Sequence, residues 1–273
     1  MWNRFRTYLA VSVAALLFSL PSSGGELFEY RDSVASGYNF LLYVPESYTS
    51  GCDSLPVILF LHGRSLSGSN LQQVTRYGCI DALRRGREIE AVVICPQCPS
   101  GNGWDASRLM NVVDWVRERY TTDENRLYVF GMSMGGWGTF KVVSAYPDKV
   151  AAAVALCGGF LGEVAPMTKV PLWIIHGTAD DVTAIHHSKS IVSKMEATGK
   201  ATRLRYTWLQ GCDHSILART FLLEAPYTWL LSHSLADEDR PMTQDCDVTP
   251  SDLHSAYMHL DTSKAQKLPI RKP

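Results

Sequence analysis

The segment Leu127-Tyr-Val-Phe-Gly131-Met132-Ser133-Met134-Gly135-Gly136 decides the fold. Four apolar residues run straight into a Gly-x-Ser-x-Gly turn, and a helical stretch with Gly136 and Gly138 on its first turns follows. An apolar run without polar alternation suits a strand buried on both faces. A turn passing at once from strand to helix needs small residues where the two backbones approach, and it projects its central side chain above the sheet. It also brings Ser133 to a helix N-terminus, where backbone N–H groups can face an oxyanion.

Outward from this segment the same pattern repeats. Pro56–His62, Ala91–Cys95, Ala151–Leu156 and Leu172–His176 are further apolar runs, and Arg203–Leu209 alternates like a last strand near an edge. Leu27–Asp32 and Tyr38–Val44 flank a Ser36-Gly37 turn and read as a hairpin. Between the later runs, Asn70–Arg85, Ala106–Arg119, Ala184–Ala197 and Pro226–Ser234 carry helical patterns. Alternating strands and helices predict an α/β fold, a mostly parallel eight-stranded sheet with helices on both faces. Only the fourteen residues Cys157–Val170 separate two consecutive strands, which leaves no room for a large cap domain and predicts an open cleft.

Composition bounds the rest. The chain has 273 residues, 46% of them apolar, with 26 basic and 27 acidic side chains for a net charge of −1. That apolar content excludes a disordered chain, and the balanced charge excludes a broad basic surface for nucleic acid. Arg4 and Arg6 precede the apolar run Tyr8–Leu20 and the small residues up to Gly25. This layout predicts a signal peptide over residues 1–24, a catalytic domain over 25–235 and an exported, periplasmic or extracellular protein. The run is shorter than the roughly 20 residues that span a bilayer, so stable membrane insertion is not expected. Residues 236–273 turn polar and Pro-rich and read as a tail with little core of its own. Seven cysteines, an odd number, leave at least one thiol unpaired within the chain. Cys95-Pro-Gln-Cys98 has redox or metal spacing but ends an apolar strand without a second ligand pair, so a structural role is favoured.

A serine hydroxyl needs a base to become a nucleophile. Of eight histidines, His62 and His176 end strands before glycine, His186, His187 and His233 lie in helical stretches, and His254 and His259 lie in the tail. His214, in the loop after the last strand, can reach back over Ser133. The base in turn needs an acid that orients it. Gly177-Thr-Ala-Asp180-Asp181 follows a strand end and offers two aspartates, of which Asp180 is preferred and Asp181 is left as a helix cap. The order Ser133, Asp180, His214 is that of an α/β-hydrolase triad. Trp104, in the Gly-rich loop Pro99–Asp105, can stack on a sugar or aromatic acyl group at a rim, or pack at the start of the next helix.

Leu61-His-Gly-Arg-Ser65, Gly131-Met-Ser-Met-Gly-Gly136, Leu156-Cys-Gly-Gly159, His176-Gly-Thr-Ala-Asp180 and Asp213-His214 together resemble the secreted α/β-hydrolase esterases. Feruloyl esterases, polyhydroxybutyrate-depolymerase-like enzymes and prolyl-oligopeptidase-like serine hydrolases share this pattern. The resemblance covers most of residues 26–235 and implies a serine carboxylic-ester hydrolase acting through an acyl-enzyme. It implies oxyanion-hole N–H groups from Met134 and from Arg64 or Ser65, with Ser65 also near the substrate, and neither metal nor cofactor. Feruloyl or acetyl esters on plant polysaccharide are the implied substrates. Two alternatives stay open: a serine peptidase, which would ordinarily carry a large propeller domain, and a non-catalytic binding protein.

Overall fold

A computed structural model describes residues 24–48, 54–238, 240, 242 and 246–273. The signal-peptide reading falls almost entirely outside them, and so does Cys52. Among the described residues no helix is long and apolar enough to cross a membrane.

The apolar runs form one mixed sheet. Its strands are β1 (Glu26–Tyr30), β2 (Phe40–Val44), β3 (Leu55–Leu61), β4 (Val92–Pro96), β5 (Thr122–Met132), β6 (Ala152–Leu156), β7 (Leu172–Gly177), β8 (Leu204–Leu209) and β9 (Ile270–Arg271). They lie in the order β8-β7-β6-β5-β3-β4-β2-β1-β9. β1–β2 and β2–β4 pair antiparallel, and every other neighbouring pair is parallel.

Alternation along each strand divides the core between two faces. In β3, Ile58 and Phe60 join one apolar layer while Val57, Leu59 and Leu61 join the other. The first layer is covered by α1 (Cys79–Arg84) and α5 (Ala225–Leu231). The second is covered by α2 (Ala106–Arg117), α3 (Met134–Ala145) and α4 (His186–Glu196). The strand order reverses across β3, since β4 lies on one side and β5 on the other. In open α/β sheets the crevice at such a reversal, beyond the carboxyl ends of the strands, is where ligands bind.

The structure departs from the sequence reading in three places. The sheet has nine strands, not eight, because β9 comes from the tail. That tail is not without core: α6 (Pro250–Ser255) and its flanks bury Val248, Leu253, Ala256 and Leu268 on the first layer. The helix expected over Asn70–Arg85 is broken into a 3-10 turn, Leu71–Thr75, and α1. Gly78 causes the break. Its φ of 96° is left-handed, and a β-carbon there would lie 2.2 Å from the Phe60 ring.

Candidate active site

β5 delivers Ser133 into the turn with φ 58° and ψ −120°, a strained conformation for a residue with a side chain. Such strain persists only where the surroundings enforce it. Here they do: Ser133 N–H donates to Leu156 O (2.9 Å), and Trp137 N–H returns to Ser133 O (3.0 Å). Ser133 precedes α3, whose first N–H groups, Met134 among them, have no acceptor inside the helix.

β7 and β8 deliver the other two side chains. His214 Nε2 lies 3.0 Å from Ser133 Oγ, and His214 Nδ1 lies 2.7 Å from Asp180 Oδ2. The His214 loop is tied to the Asp180 loop by Ala179 N–H to Cys212 O (3.0 Å) and Gly211 N–H to Thr178 Oγ1 (2.9 Å). Within it, Asp213 Oδ1 accepts from Ile216 N–H (2.9 Å), and the Ile216 amide and Ser215 hydroxyl hold that exposed carboxyl below its usual range.

The carboxylate that meets His214 is that of Asp180. Its Oδ1 accepts from Val182 N–H (3.0 Å) and Thr183 N–H (2.8 Å), leaving Oδ2 for the imidazole. One buried aspartate thus holds its own turn and meets the imidazole, and neither aspartate caps the helix as the sequence reading expected. Asp181 is exposed, makes no side-chain hydrogen bond among the described residues and caps no helix, for α4 starts after Ile185. Asp180→Asn should therefore lower kcat by about 10³- to 10⁴-fold, as expected when an imidazole loses the acceptor that fixes its tautomer. Asp181→Asn should leave both rate and melting temperature near the parent. Initial-rate kinetics and thermal melts on the two variants check this, and an inactive Asp181→Asn would move the acid by one residue.

The loop after β3 lies against the serine. A β-carbon on Gly63 would fall 3.3 Å from Ser133 Cβ. Tyr77, which the sequence reading missed, holds this loop: its hydroxyl accepts from Gly63 N–H (2.7 Å). Burial raises the Tyr77 pKa, so the phenol keeps its proton. Nothing in the local sequence marks this tyrosine, because its partner is fourteen residues away on another element.

His62 fastens the same loop to the one after β4. Its Nδ1–H donates to Gly63 O (2.7 Å) and its Nε2 accepts from Cys98 N–H (3.1 Å), which defines the neutral tautomer. Burial pushes its pKa down from 6.5 to about 4. Between those values the unfolded chain binds the proton and the folded chain does not, so stability is full above pH 6.5 and declines as pH falls toward 4. The loss over that window should be about 3 kcal/mol. Urea unfolding of the parent and His62→Gln at pH 7 and pH 4.5 checks it: the gap between them should narrow in acid, and a constant gap contradicts a buried neutral imidazole.

Trp104 corrects the sequence reading. It is 2% exposed, donates Nε1–H to His62 O (3.2 Å) and packs edge-on against His62 and Tyr38, so it forms no rim platform. Cys95 and Cys98 are buried in opposite layers of the core, and burial raises both thiol pKa values. Cys157, in the quoted Leu156-Cys-Gly-Gly159 stretch, is buried just past β6 with φ 42°. Cys157, Asp180 and His214 each bring a potential metal-ligand atom within 4.8 Å of the others, but Asp180 and His214 already bind each other.

A family described as the dienelactone hydrolase family matches residues 104–222, which contain all three side chains. A solved thermostable esterase superposes with a TM-score of 0.61 at 25% identity, covering 77% of this chain and 63% of that one. This chain has the α/β-hydrolase fold. A feruloyl esterase module from Clostridium thermocellum, complexed with sinapinate, shares the hydrolase fold at 16% identity with a TM-score of 0.56, covering 73% of this chain and 86% of that one. Among curated proteins, the bifunctional acetylxylan esterase/xylanase XynS20E of Neocallimastix patriciarum is 28% identical over 163 residues, 56% of this chain and 23% of that protein. Feruloyl esterase B of Thermothelomyces thermophilus is 24% identical over 175 residues, 58% of this chain and 56% of that protein. The matches thus span about a quarter to a half of those relatives' lengths.

Proposed function

We propose that this chain is a serine esterase that cleaves acyl esters, with feruloyl or acetyl esters on plant polysaccharide as its substrates, and that it works outside the cytoplasm. The observation that carries the reading is the continuous Ser133–His214–Asp180 hydrogen-bond chain at 3.0 and 2.7 Å. Ser133 Oγ attacks the acyl carbon while His214 Nε2 takes its proton. The carbonyl π electrons move to oxygen, where backbone N–H groups of Met134 and of Arg64 or Ser65 stabilise the anion. Collapse expels the alcohol oxygen, which receives the proton from His214 and leaves an acyl-enzyme. Water, deprotonated by His214, repeats the sequence and releases the acid.

The substrate class draws support from the esterase activities named for the relatives and from the short connection between β6 and β7. Between β6 and β7 lies only a loop with one 3-10 turn, Ala165–Lys169, and Leu161 on it is 87% exposed. An open cleft suits an acyl group attached to something bulky. Turnover of methyl ferulate, acetylated xylan, short nitrophenyl esters and a Pro-containing peptide amide tests the reading. Ester turnover with an inert amide is expected, whereas amide cleavage at rates rivalling the esters would make the chain a peptidase.

The mechanism also requires a pH dependence. A single proton on His214 removes the base, so kcat/KM should fall on the acid side with a log–log slope near one. A flat profile in protein shown by circular dichroism to remain folded would exclude a histidine base.

A further inference from the structure

His176 is a second histidine at the acid, and the serine mechanism above gives it no task. Its side chain is fully buried. Nε2 lies 2.7 Å from Thr183 O and 3.4 Å from Asp180 Oδ2, the oxygen that also receives His214 Nδ1. Nδ1 lies 2.8 Å from Ser188 Oγ on α4, and Ser188 Oγ lies 2.9 Å from Gly158 O in the loop after β6.

Counting protons assigns the form of the ring. Thr183 O can only accept, so Nε2 carries a proton. Its positive edge then lies beside Asp180 Oδ2 while the hydrogen bond itself goes to Thr183 O. Ser188 has one hydroxyl proton and two acceptors within reach, Nδ1 of a neutral ring and Gly158 O. If the proton goes to Gly158 O, Nδ1 must also be a donor and the ring is an imidazolium; if it goes to Nδ1, the ring is neutral. The titratable groups around the ring are Asp180 in its own loop, His214 from the loop after β8 and His187 on α4. Cys157 adjoins Asp180. Burial disfavours the charged ring, and against it Asp180 favours it more weakly.

We propose that His176 is the positioning residue of the acid, held as the neutral Nε2–H tautomer by the Ser188 hydroxyl. Its N–H anchors Thr183 O and so fixes the turn whose Val182 and Thr183 N–H groups grip Asp180 Oδ1. The same edge, beside Oδ2, limits how far the carboxylate can rotate away from His214. Ser188, whose single hydroxyl proton goes to Nδ1, ties the ring to α4, so the acid is located by α4 as well as by its own loop.

This inference rests on the Ser133–His214–Asp180 reading, and the test separates the two. His176→Leu removes the anchoring N–H. It should lower kcat on the order of 10- to 100-fold with KM little changed, because a misplaced acid costs transition-state stabilisation and not substrate binding. The acid limb of kcat/KM should move to higher pH, since Oδ2 loses a competing positive edge and interacts more strongly with a protonated His214. His176→Gln, which can return an N–H to Thr183 O, should recover most of kcat and the parent limb. If instead Ser133→Ala is inactive while His176→Leu keeps the parent kcat and acid limb, with only a lower melting temperature, His176 is structural and the proposal falls. If Ser133→Ala is active, the serine reading itself falls. Should His176→Leu fail to fold, ¹⁵N-histidine NMR of the parent decides. A neutral Nε2–H signal for His176, unchanged across the range in which His214 titrates, supports the tautomer; an Nδ1–H or imidazolium signal overturns it.

Discussion

Ser133→Ala should abolish ester hydrolysis while leaving a folded protein. The expected drop in kcat/KM is about 10⁵- to 10⁶-fold, or about 7–8 kcal/mol of transition-state stabilisation. On the proposed mechanism the loss is chemical, because the Ser133 hydroxyl forms the acyl-enzyme, and the structure gives it one described partner, His214 Nε2. Alanine keeps the β-carbon and the backbone bonds to Leu156 O and from Trp137 N–H, so the turn has no reason to collapse. His214→Ala should cost nearly as much, and the double variant little more than either, because nucleophile and base act as one unit. Burst titration with a nitrophenyl ester separates the cases: the parent should release one equivalent of phenol rapidly, and Ser133→Ala none. Activity within tenfold of the parent would end the serine mechanism.

Gly135→Ala should be severely destabilising. A β-carbon there would lie 1.8 Å from Leu61 O and 2.5 Å from Leu61 C. Those atoms are backbone at the end of β3, in register with Gly131 of β5, so they cannot swing aside as a side chain could. Relief requires prising α3 off the sheet where Ser133 is held. A cost of about 4–5 kcal/mol or more is expected, at the extreme of single substitutions and a large part of the roughly 5–15 kcal/mol that keeps a domain folded. Thermal melts should fall by about 10–20 °C, or the protein should fail to accumulate in soluble form. Gly103→Ala is the control: its nearest neighbour would be Lys141 Nζ at 4.0 Å, and it should melt with the parent. Equal melting of the two variants would contradict the close approach of α3 and β3.

The difference between those two glycines shows what could be read from the chain alone. The spacing Gly131-x-Ser133-x-Gly135 after four apolar residues contains its own geometry. A strand that turns directly into a helix has little room, so the residues flanking the serine must be small wherever the motif occurs. The buried strands are legible for a similar local reason, since a parallel strand covered on both faces has no polar positions. Asp180 and His214 follow from these, because each lies just past a strand end on the side where Ser133 stands.

What the sequence determined by itself is therefore eight of the nine strands, the helices α2 to α5 and the three side chains that lie just past strand ends. Only the tertiary structure decided how those side chains are held. The two histidines that end β3 and β7 have similar local sequence, His-Gly, yet one fastens the loops beside the serine and the other lies against Asp180. That difference comes from which loops pack beside each strand. Trp104 is buried because His62 O and Tyr38 close over it, not because its loop is short of glycine. The tail carries too few apolar residues to show a period, but Val248, Leu253, Ala256 and Leu268 find apolar surface beside α1 and α5. β9 has two residues, and it forms because the edge of β1 offers backbone groups to any extended segment that reaches it. Backbone pairing between residues more than 240 positions apart depends on neither side-chain pattern nor local propensity, so only the folded chain reveals it.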